Sequence, residues 1–79
     1  MLVEIITPKG MEFSGEAKEL ILPTREGQIA VLPRHVPLIS VLEPGKMKII
    51  TGGKQIDKEI EGGILEVGKN KAVILLKKF

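Results

Sequence analysis

Residues 62–76 read Gly62-Gly63-Ile64-Leu65-Glu66-Val67-Gly68-Lys69-Asn70-Lys71-Ala72-Val73-Ile74-Leu75-Leu76. Two short apolar runs flank a polar break. Neither run has room for a typical helix of about 11 residues. Asn70 tolerates the left-handed backbone region, so Lys69-Asn70 can close a hairpin. The two strands are predicted at 64–67 and 71–77. Ala72, Ile74 and Leu76 alternate with Val73 and Leu75, and both sets are apolar. A strand apolar on both faces is central in its sheet, or covered by a partner. Gly62-Gly63 joins strands too closely for a long loop, which implies a tight turn or a bulge.

The same texture extends outward in both directions. Turn signals recur at Pro8-Lys9-Gly10, Ser14-Gly15, Pro23 to Gly27, Pro33 to Pro37, Pro44-Gly45 and Gly52-Gly53. Such regular spacing argues a β-sandwich or barrel. Further strands are predicted near 2–7, 11–13, 16–22, 28–32, 38–42, 46–51 and 54–61. Met47 and Ile49 alternate with Lys46, Lys48 and Ile50, so one face is apolar and the other mixed. Pro44-Gly45 suits the centre of a type II turn. Gly52-Gly53 suits a two-residue type I′ hairpin. Ile56 and Ile60 also fit one helical turn, but the Gly pairs around them leave space only for a strand. The expected fold is all-β, a flattened β-sandwich or barrel of about nine to ten short strands in one domain, 1–79.

Composition narrows the function classes. The chain has 79 residues, no Cys, one His, and no Trp or Tyr. Disulfides, thiolate metal sites and Cys nucleophiles are excluded. Twelve Lys+Arg against ten Asp+Glu give a net charge of +2, mixed along the chain. This is not a strong polyanion binder. No apolar run approaches the roughly 20 residues of a membrane helix. No signal-peptide pattern opens the chain, as expected of an unsecreted protein.

No residue pattern in the chain points to an enzyme. His35 has no accompanying nucleophile signature, and no hydroxyl sits in a nucleophile elbow. The glycines form no phosphate-cradling motif before a helix. Two alternatives come from other classes. Lys46, Lys48 and Lys54 form a local basic patch for nucleic acid, but only Phe13 and Phe79 are aromatic. Lys46-Met47-Lys48 superficially resembles the Met-Lys-Met of biotinyl and lipoyl carrier domains, in inverted order and without the flanking acidic and alanine residues.

The most specific stretch is Glu26-Gly27-Gln28-Ile29-Ala30-Val31-Leu32-Pro33-Arg34-His35-Val36-Pro37-Leu38-Ile39-Ser40. It resembles the E-G-x-x-G-[VI]-[LY]-P-G-H-x-P-[LF]-[LI]-[TS] signature of ATP synthase epsilon subunits. Val3 to Pro8 resembles that family's opening strand, Phe13-Ser14-Gly15 its F-x-G turn, Leu42 to Gly45 its L-x-P-G turn, and Gly62 to Val67 its G-G-[FI]-[LV]-E-V strand. Ala30 and Arg34 depart from the signature, each standing where the family usually has Gly.

The resemblance implies a ten-strand sandwich at the foot of the central stalk. It implies binding to the gamma subunit and the c-ring, turning with them as a rotor that couples proton flow to ATP synthesis, with no catalytic role. It implies a peripheral place at the cytoplasmic face of a bacterial inner membrane, or its plastid counterpart. Glu26, Gly27, Gln28 and His35 are the interface candidates it transfers, with Arg34, Pro37, Leu38, Ile39 and Ser40 beside them. The family's C-terminal helical hairpin, which inhibits hydrolysis and in some members binds ATP, has no counterpart in these residues. Neither inhibition nor nucleotide binding is therefore expected, and no cofactor or nucleic acid.

Overall fold

The computed structural model describes residues 1–79 and contains nine strands and no helix. They are β1 (Leu2–Thr7), β2 (Gly10–Glu16), β3 (Glu19–Thr24), β4 (Gly27–Val31), β5 (Leu38–Leu42), β6 (Gly45–Ile50), β7 (Gln55–Ile60), β8 (Gly63–Gly68) and β9 (Lys71–Leu76). Hydrogen bonding runs β2-β1-β9-β8-β5-β3-β6-β7, with β4 on the other edge of β3. β1 and β9 pair in parallel; every other pair is antiparallel. β5 and β3 share only the pair Thr24 and Leu42. The path therefore folds into two layers, β2-β1-β9-β8-β5 and β4-β3-β6-β7.

Strict alternation makes the core. Val3, Ile5, Leu65, Ala72 and Ile74 point inward from the first layer, Leu20, Leu22, Val31, Met47 and Ile49 from the second. The filling is almost wholly aliphatic. Each fully buried Leu or Ile adds about 1.5–3 kcal/mol of burial free energy. The two buried hydroxyls are satisfied: Thr7 Oγ1 donates to Glu12 at 2.7 Å and Thr24 Oγ1 to the Gly27 carbonyl at 2.6 Å. β9 lies between β1 and β8, the central place that its doubly apolar sequence implies.

Several turns differ from the sequence expectation. Ser14-Gly15 is no turn; β2 runs through it to Glu16, and Gly15 leaves room for the Phe13 ring, 3.3 Å from where its Cβ would stand. The third strand begins and ends later than 16–22, and it contains Pro23. β6 pairs with β3 only over Glu19–Ile21, so the N–H that Pro23 lacks falls beyond the ladder. Gly45 has φ 159°, not the roughly 80° of a type II turn. Its role is clearance: a Cβ there would stand 3.2 Å from Pro23. Neither Gly52 nor Gly53 has positive φ, so no type I′ turn forms. The loop is instead closed by Thr51, whose N–H and hydroxyl both donate to the Lys54 carbonyl, at 2.9 and 3.0 Å. Asn70 is left-handed, φ 54°, in the two-residue hairpin between Gly68 and Lys71.

Candidate partner interface

The β3–β4 hairpin turns on Arg25-Glu26. Thr24, buried beneath it, donates to the Gly27 carbonyl and accepts from the Glu26 N–H at 3.2 Å. Gly27 takes φ 112°, which a side chain would resist. β5 supports the turn from the side. Arg25 N–H donates to the Val41 carbonyl at 2.9 Å, and Ser40 Oγ donates to Glu26 Oε1 at 3.3 Å. Glu26, Gly27 and Ser40 thus form one group, held at the end of two strands. Gln28 follows on β4, exposed, opposite Pro23.

The remaining candidates gather at the other end of β5. Leu32 to Pro37 crosses from β4 to β5. Its backbone is set by His35 N–H donating to the Leu32 carbonyl at 3.0 Å. His35 Nδ1 donates to the Val36 carbonyl at 2.7 Å, since a carbonyl can only accept. Arg34 adopts φ 69°, so the residue replacing the usual Gly keeps a glycine-like backbone. Leu38 and Ile39 then pair with Val67 and Glu66 of β8. Arg34, His35 and Pro37 border a hollow with Lys69 and Asn70, residues that the signature motif does not include.

A third feature emerges from register. On the outward face of the first layer, Met11 stands beside Ile6, Ile6 beside Leu75, Leu75 beside Ile64, and Ile64 beside Val41. This row crosses all five strands. Its members Met11, Leu75, Ile64 and Val41 are between 39% and 56% exposed. The next row carries Glu66 and Glu4, and Glu4 pairs with Lys71 at 3.1 Å. An apolar band with carboxylates at its border is the anatomy of a protein contact. Sequence reading singled out only the 72–76 part of it. The rest was hidden because the other members come from four separate strands.

The alternative readings lose their geometry. Lys46 and Lys48 lie within β6 rather than at a hairpin tip, around the buried Met47. A carrier lysine needs the tip. Across the ladder these lysines face Glu59 and Asp57, which offsets a cationic groove.

Three kinds of comparison agree. The family described as "ATP synthase, Delta/Epsilon chain, beta-sandwich domain" matches residues 1–79. The ATP synthase epsilon chain of Chloroflexus aggregans is 36% identical over 73 residues, covering 92% of this chain and 52% of that protein. The chloroplastic epsilon chain of Coffea arabica is 35% identical over 72 residues, covering 91% and 54%. Among solved structures, a chain of the Euglena gracilis mitochondrial ATP synthase superposes with a TM-score of 0.91 at 22% identity, over 99% of this chain and 51% of that one. A chain of the Tetrahymena thermophila central stalk and c-ring gives 0.82 at 22% identity, over 96% and 62%. The chain spans about half the length of the curated relatives it matches.

Proposed function

The chain belongs to the β-sandwich domain family of ATP synthase delta/epsilon chains, and on that premise we propose that it is a central-stalk rotor element that binds the gamma subunit and the c-ring. The observation that carries the proposal is the apolar row from Met11 to Val41. A monomer gains nothing by leaving such a band open, whereas burial under gamma would recover its transfer free energy. The Glu4 and Glu66 carboxylates beside it would fix register, so that torque crosses the interface without slip. Short turns and one continuous core make a stiff body for that purpose.

In this reading the β3–β4 turn with Glu26, Gly27 and Gln28, and Ser40 beside it on β5, face the ring. The segment holding Arg34, His35, Pro37, Leu38 and Ile39 lies where ring and gamma meet. Residues 1–79 act as one unit, couple proton translocation to ATP synthesis without catalysing it, and bind no nucleotide. They sit at the membrane surface, on the cytoplasmic side in a bacterium, through the complex alone. Co-expression with gamma and affinity purification test the proposal. A stable complex is the expected result; failure of gamma to co-purify would overturn it.

A further inference from the structure

Only two non-glycine residues in the chain have positive φ, Arg34 at 69° and Asn70 at 54°. They lie 36 positions apart in sequence, yet both border one open hollow of about 830 Å³ between the β4–β5 connection and the β8–β9 turn. Non-glycine residues held in the left-handed region cost of order 1 kcal/mol, and they cluster at ligand clamps. Pro33 and Pro37 stiffen the hollow's rim. Its charge is of one sign. Arg34 and Lys69 line it, no acidic residue does, and neither cation has an ion-pair partner elsewhere. Glu66 lines a separate hollow that shares Lys69. Beside the cations, Leu32 and Val36 are 51% and 70% exposed.

We propose that this hollow is a carboxylate-binding site, which takes an acidic side chain of a protein docked against the β4–β5 connection. Two unpaired cations on a rigid rim suit a carboxylate, and a guanidinium engages both of its oxygens. The exposed apolar neighbours favour a carboxylate that arrives on a protein surface over a free ion. The proposal deepens the stalk reading, on which it rests for the identity of that protein. It adds a charge contact where the signature glycine would supply none.

The test is an amide chemical-shift titration of the chain with tetraglutamate peptide, and in parallel with inorganic phosphate and with phosphatidylglycerol vesicles. The expected result is a saturable response confined to residues 33–37 and 68–71, weakened several-fold between about 20 and 200 mM salt. Lys69→Glu and Arg34→Gly should each weaken it about 10-fold, while Lys9→Glu, on the β1–β2 turn at the far end of β1 from the β8–β9 turn, leaves it unchanged. A response spread over all lysines, one retained in both variants, or a stronger one to phosphate or vesicles would overturn the proposal. Gamma co-purification reads out separately. Peptide binding without gamma sinks the stalk reading alone, and gamma binding without peptide binding sinks the hollow alone.

Discussion

Ile64 and Leu75 stand opposite each other across β8 and β9, both with side chains on the outward face of the sheet. Their inward neighbours Leu65 and Ile74 are fully buried. One hairpin therefore builds the core with one face and an open apolar surface with the other. Ile64→Asp and Leu75→Asp should each weaken gamma binding at least about 10-fold, as loss of a central contact does. Urea midpoints should barely move, since the sites are partly exposed. Gamma pull-down and equilibrium unfolding read the two effects apart.

Glu26 accepts from Ser40 across fourteen residues of chain. Glu26→Lys reverses its charge without touching the core. Stability should change by no more than about 0.5 kcal/mol. Attachment of the catalytic head to membranes should fall, measured as sedimentable ATPase activity. Unchanged attachment would remove this turn from the ring contact.

Gly63 carries no Cβ because the Leu75 carbonyl and the Leu76 side chain occupy its place. Gly63→Ala should cost about 2–3 kcal/mol by pushing β8 off β9. Gly52→Ala is the control, with its nearest neighbour the Lys18 side chain at 3.8 Å and no positive φ. It should be neutral or stabilise by up to about 1 kcal/mol. Urea denaturation distinguishes them.

Leu20 and Ile74 are fully buried in opposite layers. Truncating either to Ala should cost about 2–5 kcal/mol. In a chain this small that is much of the total stability. The expected signature is a lower unfolding midpoint with an unchanged denaturant slope.

Arg34→Gly removes a side chain from a left-handed backbone. Stability should rise by about 0.5–1 kcal/mol, the strain relieved less the extra freedom of the unfolded chain. The same variant should bind tetraglutamate about 10-fold more weakly. A more stable protein that binds less would mark Arg34 as retained for its charge.

Much of this was legible in residue order. Alternation at Met47 and Ile49, and at Ala72, Ile74 and Leu76, reports a half-buried pleated strand because successive side chains oppose each other. Asn70 reports its turn for a local reason, its tolerance of positive φ. Other turns were misread because glycine has two uses that look alike in sequence. Gly45 and Gly15 make room for Pro23 and Phe13 rather than bending the chain, and Gly52-Gly53 sits in a loop that Thr51 closes. Clearance depends on what lies opposite, and no local pattern reports that.

The amino-acid sequence by itself determined the strand content, the aliphatic core and the family, because each is written in the period-two pattern or in the ordered motif from Glu26 to Ser40. Tertiary structure alone decided which residues meet. The row from Met11 to Val41 and the hollow between Arg34 and Lys69 draw on segments far apart in the chain. Their existence depends on the parallel pairing of β1 with β9 and on the register of β8 against β5. Slipping a strand by one residue would turn its apolar side chains to the other face, so these surfaces exist only once the sheet has chosen its register.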